Sequence, residues 1–419
     1  MKETLERELK LDVEPGFRLP RLPGRPLVPR VFVSRYYDTP DHRLARHGVT
    51  LRCRIEKRRP LWQVKLPRQA ARLELELPGS SFRMPDELGR LLHVYTREAD
   101  LGPIATLRTR RTGVLVRERG RPVAEVVLDS VGVLDGRKVK RRFREVEVEL
   151  VGTGDEAVLE RLGALLRAGG ATESEGTPKV FRALGLDFSV EVKPPGPSAT
   201  PLDRVLALMR SQLAVIRAHD PGTRLGEDPE ELHQMRVAVL RLRALLRAAR
   251  PMFVPKPIEA LREELAWLGA VLGERRDLDV FRDYLRGEVA ALNPPDRGAG
   301  RGLFRRLEGA RAQAREDLLA GLDSPRYFTL LDRIEETISH PPVMDSDVPL
   351  AEVATREWRK LRKAVKSLPE AAAETDLHVV RIKAKRARYA AELAAPVMGH
   401  SAERFVDWVK KLQDILGEH

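Results

Sequence analysis

Leu5-Glu6-Arg7-Glu8-Leu9-Lys10-Leu11 is the run on which the reading of the N-terminal half turns. As a β-strand its period of two puts Glu6, Glu8 and Lys10 on one face, and Leu5, Leu9 and Leu11, with Arg7 among them, on the other. The pattern returns along the chain. Arg52 and Arg54 flank Cys53, and Lys65 closes Trp62-Gln63-Val64-Lys65. Arg72, Glu74 and Glu76 alternate, as do Arg108 and Arg110, with Arg111 out of phase. Glu125 and Asp129 share parity, and Glu145, Glu147 and Glu149 alternate with Val146, Val148 and Leu150.

Half-buried strands ordinarily turn such charges to water. A whole series of them can instead close into a barrel with a charged lumen. Its apolar outer face would then be covered by helices near 85–94 and 155–168. Arginine and lysine packed inside a barrel are unfavourable without an anion, and paired glutamates are unfavourable without a cation. A metal-bound polyphosphate supplies both: carboxylates take Mg²⁺ or Mn²⁺ through oxygen, while Arg and Lys grip phosphate oxygens.

The rest of the sequence divides accordingly. Residues 1–190 read as strands at 4–13, 31–37, 49–57, 61–66, 71–77, 104–110, 113–118, 123–129 and 142–151, with Asp135-Gly136 as a hairpin signal. Pro85-Asp86 opens the first helix, and Leu159, Leu162, Leu165 and Leu166 stripe the second. Residues 191–200 form a Pro-rich linker. Residues 201–419 carry apolar stripes of helical period over 202–218, 229–250, 256–272, 276–291, 301–321, 325–337, 348–366, 376–396 and 401–416. The fold class expected is α+β in two domains, an antiparallel β-tunnel followed by an all-α bundle.

The 419 residues carry 75 Lys plus Arg against 62 Asp plus Glu, a formal charge of +13 that suits a polyanion partner. The single cysteine, Cys53, excludes an internal disulfide and a Cys-based zinc site. Met1 leads directly into charged residues, and no run of about 18 apolar residues appears, so a cytoplasmic protein without a membrane span is expected.

Glu6-x-Glu8-x-Lys10 resembles the ExExK signature of the CYTH domains, the triphosphate tunnel metalloenzymes. Tyr36-Tyr37-Asp38-Thr39-Pro40, Leu51-Arg52-Cys53-Arg54, Gln63-Val64-Lys65-Leu66, Arg72-Leu73-Glu74-Leu75-Glu76, Asp129, Glu145-Val146-Glu147 and Pro178-Lys179-Val180-Phe181-Arg182 follow in the family's order. The resemblance implies an eight-stranded antiparallel tunnel and metal-dependent chemistry on triphosphates. It implies Glu6, Glu8, Glu145, Glu147 and Asp129 as ligands of Mg²⁺ or Mn²⁺, with Glu149 nearby. It implies Lys10, Arg52, Arg54, Lys65, Arg108, Arg110 and Lys179 as triphosphate-binding residues. Glu6 and Glu145, with Lys10, would be catalytic, a carboxylate positioning water in line with the terminal phosphorus. Cys53 is expected to face outward into apolar packing.

The helical half repeats itself. His233-x-x-Arg236 returns as His378-x-x-Arg381, and Arg241 and Arg243 return as Arg386 and Arg388. Leu268 and Leu272-Gly273-Glu274 return as Leu412 and Leu416-Gly417-Glu418. Two copies of one helical unit, packed about a pseudo-twofold, are expected. Counterparts of Asp277 and Asp279 would fall after His419, so the second copy is expected to be cut short. Two like-charged helix faces brought together would form a basic groove for a long anion.

These blocks resemble the CHAD domain, a two-repeat helical module associated with polyphosphate. The resemblance implies inorganic polyphosphate bound by His233, Arg236, Arg241, Arg243, His378, Arg381, Lys385, Arg386 and Arg388, and a location at polyphosphate granules. Leu240 stands where the family commonly has another Arg. Aromatic residues are only 5% of the chain, which disfavours stacking on single-stranded nucleic acid. The leading reading is a tripolyphosphatase with a polyphosphate-binding domain. The alternatives are a non-catalytic polyphosphate-binding or granule-targeting protein, and an adenylate cyclase acting on ATP.

Overall fold

The computed structural model describes residues 2–68, 71–174, 177–186, 195–196, 198–293, 298, 300–344 and 348–416. The chain divides into two compact units, Met1–Glu191 and Val192–His419. The first is built on an antiparallel sheet and the second on helices, a two-domain α+β protein. Half of the expected linker (residues 191–194 and 197), and Gly417-Glu418 of the second repeat, lie outside the described residues.

The first unit contains β1 (Lys2–Glu6), β2 (Glu8–Asp12), β3 (Gly24–Pro26), β4 (Arg30–Asp38), α1 (Arg43–Arg46), β5 (Thr50–Glu56), β6 (Arg59–Arg68), β7 (Ala71–Pro78), α2 (Asp86–Thr96), β8 (Gly102–Glu118), β9 (Arg121–Asp135), β10 (Lys138–Leu150), α3 (Glu156–Ala168), β11 (Thr172–Glu173) and α4 (Lys179–Leu184). The strand order is β1-β7-β6-β5-β4-β8-β9-β10-β2-β11, with β3 on β8. β1 and β2 are consecutive pieces of the opening run, interrupted only at Arg7. The two ends of the sheet are therefore joined through the chain, and the sheet closes on itself. Arg7 stays tied in, its carbonyl accepting from Leu150 N at 3.0 Å.

Among the described residues eleven strand segments stand against the eight expected. The opening strand is split at Arg7, and β3 and β11 are short additions of 3 and 2 residues. The expected strands at 104–110 and 113–118 are one 17-residue strand, β8.

Period two sorts the side chains as the pattern requires. Leu11, Val116, Val126, Val146 and Val148 are buried with Val158, Leu159, Leu162 and Leu166 of α3, so α3 covers this apolar outer face. Asp155 caps α3, accepting from Val158 N at 3.1 Å. Asp38, in the Tyr36-Tyr37-Asp38-Thr39-Pro40 block, is structural. Its carboxylate accepts from the backbone N–H of Thr39, Leu44 and Ala45 at 2.7, 2.8 and 3.0 Å and so holds α1 against the end of β4. Cys53 is fully buried opposite Trp62, and burial pushes its thiol up, which suits packing rather than nucleophilic use.

The second unit comprises α5 (Pro201–Leu225), α6 (Pro229–Ala248), α7 (Pro255–Ala291), α8 (Arg301–Leu322), α9 (Pro325–Ser339), α10 (Leu350–Lys366), α11 (Glu374–Met398) and α12 (His400–Ile415). The expected helices 256–272 and 276–291 are a single 37-residue helix, α7, running through Gly273. A Cβ at Gly273 would stand 3.4 Å from Arg236 Nη2, so glycine here lets the Arg236 guanidinium lie against the helix. The repeats appear as α5-α6-α7 and α10-α11-α12, each packed in sequence, and the motif-bearing helices α6 and α11 touch.

Candidate active site

Cross-strand register assembles the site. On β9, β10 and β2 the inward positions are Asp129, Glu145 and Asp12 in one row, with Glu147 opposite Lys10 and Glu149 opposite Glu8 beside it. On the far wall Glu76, Gln63, Arg52 and Tyr36 make one row, and Glu74, Lys65 and Thr50 the next. These walls enclose a cavity of about 170 Å³ whose lining includes Glu8, Lys10, Arg52, Arg54, Lys65, Arg72, Glu74, Arg111, Glu147 and Lys179.

One end is an acid cluster. Carboxylate oxygens of Asp129, Glu145 and Glu147, all buried, lie within 4.8 Å of one another. Lys179 Nζ sits among them at 3.1, 2.5 and 2.7 Å respectively. It is delivered by α4, whose Val180 and Phe181 pack against Tyr36, Leu107, Val131 and Phe143. Arg111 meets Asp129 through Nε at 2.8 Å and Nη2 at 2.7 Å, and reaches Glu147 through Nη2 at 2.7 Å. Lys10 lies 3.0 Å from Glu8 and 3.6 Å from Glu147. The opposite wall is a base-rich network. Arg52 donates to Gln63 at 2.9 Å and to the Tyr36 hydroxyl at 3.2 Å. Gln63 in turn donates to Glu74 and Glu76 at 3.0 and 2.6 Å. Glu74 lies 3.7 Å from Arg52 and 3.8 Å from Lys65.

Burial and charge pull these groups apart electrostatically. Burial pushes the Glu145 carboxyl up, and the Lys179 ammonium only partly offsets it. Burial acts on Glu147 in the same sense, but Lys179, Arg111 and Lys10 outweigh it and hold that carboxyl well below its ordinary 4.5. Burial alone would lower Lys179, yet Glu145, Glu147 and Asp129 hold it well above its ordinary 10.5.

The linkage follows from these directions. Native Glu147 binds a proton less readily than the unfolded chain, so its stabilisation is complete above 4.5 and is lost as pH falls through its folded value. Glu145 acts oppositely, favouring the native state when protonated. The contribution of Lys179 is present below 10.5 and is lost as pH rises through its folded value. Urea midpoints between about pH 3 and pH 6 should therefore fall less steeply toward acid in Glu147→Gln than in the parent. Parallel curves would remove Glu147 from the linkage.

The structure brings Lys10, Arg52, Arg54, Lys65, Lys179, Glu8, Asp129, Glu145 and Glu147 to one cavity or its edge. Among the described residues Glu8 is not one of the acids close enough to share a cation with the trio. Glu6 is in β1 with its Cα paired to Arg72; its side chain lies outside the described residues. Lys179 was expected among the triphosphate-binding bases and lies instead against the acids.

Arg108 and Arg110 require correction. They are exposed and line a separate concavity on the outer face, whereas Arg111 points inward. A bulge is the reason. Near the turn, Glu118 pairs with Arg121 and Arg117 with Pro122, but Val116 pairs with Ala124. The one-residue shift brings Arg111, not Arg110, opposite Asp129 and exchanges the faces. The sequence marked Arg111 only as out of phase, and the counterpart that identifies it is Asp129.

In the helical unit, Lys385 has Arg381, Arg388 and Arg236 as electrostatic neighbours; partial desolvation and those charges push its ammonium down. Arg243 falls in another group with Arg386, Arg247 and Arg262, so the single basic face expected is divided. Nε atoms of Arg236, Arg241 and Arg381 are buried without an acceptor among the described residues. Arg236 also donates to Asp277 at 2.8 Å. His233 is half-buried and His378 exposed.

Fold and site together define a β-tunnel whose lumen holds convergent acids and bases, joined to a two-repeat helical domain. The chain belongs to the CYTH and CHAD domain families as a fusion of the two: the CYTH domain matches residues 5–174 and the CHAD domain residues 207–419. Uncharacterized proteins of two Mycobacterium tuberculosis strains are 32% identical over 452 residues, covering 99% of this chain and 86% of theirs. The CHAD domain of the plant Ricinus communis is 26% identical, covering 55% of this chain and 78% of that one, with a TM-score of 0.45. PptA from Streptomyces chartreusis is 18% identical over 53% of this chain and 100% of its own, with a TM-score of 0.42. No described helix is long and apolar enough to cross a membrane.

Proposed function

We propose that the tunnel is a metal-dependent triphosphatase acting on inorganic triphosphate, and that the helical domain binds long-chain inorganic polyphosphate. The observation that carries the first part is the pairing of a buried acid trio with a base-rich wall across one small cavity.

The donor set suits Mg²⁺ or Mn²⁺. Three carboxylates converge, and they already surround one cation, the Lys179 ammonium. Held by Asp129, Glu145 and Glu147, a divalent ion would neutralise phosphate oxygens and lower the cost of charge at the leaving group. Lys179 must withdraw from those oxygens when they take up an ion. Lys10, Arg52, Arg54, Lys65 and Arg111 grip the phosphoryl chain. Gln63 and the Tyr36 hydroxyl fix the Arg52 guanidinium by accepting its N–H groups. Glu145, with fewer cations close by than Glu147, which also meets Arg111 and Lys10, positions the attacking water, and Glu6 is its expected companion. No covalent nucleophile is required, because in-line displacement needs mainly placement and charge compensation.

In the helical domain the support is mutual repulsion. Lys385 is crowded by three arginines, and a polyanion across Arg236, Arg381, Lys385 and Arg388 would relieve that crowding and satisfy buried guanidinium N–H groups. Polyphosphate granules are the location this reading favours.

One comparison tests both parts. The parent chain should release phosphate from tripolyphosphate and bind long-chain polyphosphate. Replacing Arg381, Lys385 and Arg388 by Ala should weaken polyphosphate binding and lower its salt dependence by about two to three in the log–log slope, sparing tripolyphosphate hydrolysis. Absence of hydrolysis in the parent removes the tunnel reading; undiminished polyphosphate binding in the variant removes the helical one.

A further inference from the structure

The bulge that turns Arg111 inward leaves Arg108 and Arg110 outside, and there they have company. On β9 the outward positions opposite them are Gly132 and Ser130, and beyond those, on β10, stand Arg142 and Arg144. Four arginines thus flank a floor of two small residues. This face lines a concavity of about 830 Å³, bounded also by Val13, Glu14, Pro15 and Arg182.

The same strands send their acids the other way. Asp129, Glu145 and Glu147 occupy inward parity, so the sheet separates charge by face. Arg144 is committed to the Glu14 and Pro15 carbonyls, and Arg182 to Asp12 and the Phe143 ring. Arg108, Arg110 and Arg142 have neither a carboxylate nor a carbonyl partner among the described residues. Three such guanidiniums on one concave surface repel one another in the absence of an anion.

The geometry points to a second anion site on the outer wall of the tunnel, formed by Arg108, Arg110, Arg142 and Arg144 and suited to a linear polyphosphate chain. Strand spacing sets the dimensions: the two arginine rows lie about 10 Å apart across β9, and residues along a row about 7 Å apart. A chain of phosphoryl groups can cross that rectangle and meet several of these arginines at once, which favours it over a single orthophosphate through linked contacts. Phe143, the aromatic of the lining, is buried, so the surface offers no ring for stacking a base. Its lining residues all belong to the first unit, and none of them lines the tunnel cavity.

Arginine-directed labelling with phenylglyoxal, read residue by residue by mass spectrometry on the full chain, tests it. Long-chain polyphosphate should protect Arg108, Arg110 and Arg142 several-fold at matched ionic strength, and orthophosphate at equal phosphorus should not. Arg108→Gln, Arg110→Gln and Arg142→Gln combined should lower the salt slope of polyphosphate binding by about two to three. Labelling unchanged by polyphosphate overturns the proposal, as does protection by a single-stranded oligonucleotide in place of polyphosphate. Protection here without protection at Arg381 and Arg388 would leave this site standing and remove the helical one, so the two readings fail separately.

Discussion

Glu145→Gln is expected to lower metal-dependent phosphate release from tripolyphosphate by on the order of a thousandfold, while leaving the fold intact. Glu145 is one of three carboxylates converging within the tunnel, and the amide removes a charged oxygen ligand without changing its shape. On the proposed reading several kcal/mol of transition-state charge stabilisation would depend on that ligand set, and each 1.4 kcal/mol is about tenfold in rate. Stability should hold because burial already makes the charged form of Glu145 costly, while Lys179 retains Glu147 and Asp129 as partners. Steady-state assays alongside thermal unfolding separate the two effects. Turnover equal to that of the parent would refute the role of this carboxylate.

The second large effect is on stability. Arg111→Ala should destabilise the chain by about 3–5 kcal/mol, because it leaves Asp129 and Glu147 without the guanidinium that pairs both. Arg110→Ala, one residue away and exposed, should change stability by less than about 0.5 kcal/mol. Mg²⁺ or Mn²⁺ should recover part of the Arg111→Ala loss by taking over charge in the acid cluster. Urea denaturation of both variants, with and without metal, measures this. Equal losses in the two would contradict the register that places Arg111 inside.

Much of this arrangement was legible in the chain. Alternation of charge with Leu and Val exposed the tunnel strands, since a one-residue slip would bury the wrong face of each. Pro85-Asp86 and the Leu159, Leu162, Leu165 and Leu166 stripe marked α2 and α3, because a helix-opening proline with a first-turn acid and a helical apolar period are both local signals. The misreadings have physical causes. Parity around Arg108, Arg110 and Arg111 turns on a bulge opposite Val116, where Val123 is the extra residue beside Pro122; a strand proline is compatible with a bulge but does not by itself fix the register beyond it. Lys179 sits at the start of a six-residue helix, and its place among the acids depends on where Val180 and Phe181 dock. The expected gap between 272 and 276 is bridged because Gly273 leaves room for the Arg236 guanidinium and the helix runs on, although its buried apolar stripe ends at Leu272 and beyond Gly273 only Asp279 is buried. Division of the basic helix faces depends on how α6 and α11 cross, which repetition in sequence does not specify.

The most direct measurement is phosphate release from tripolyphosphate by the full chain after exhaustive chelation, followed by stepwise return of Mg²⁺ or Mn²⁺. Release should fall to the buffer background and rise again, saturating with added metal. Undiminished release in the chelated protein would contradict a tunnel whose carboxylates work by holding a divalent ion.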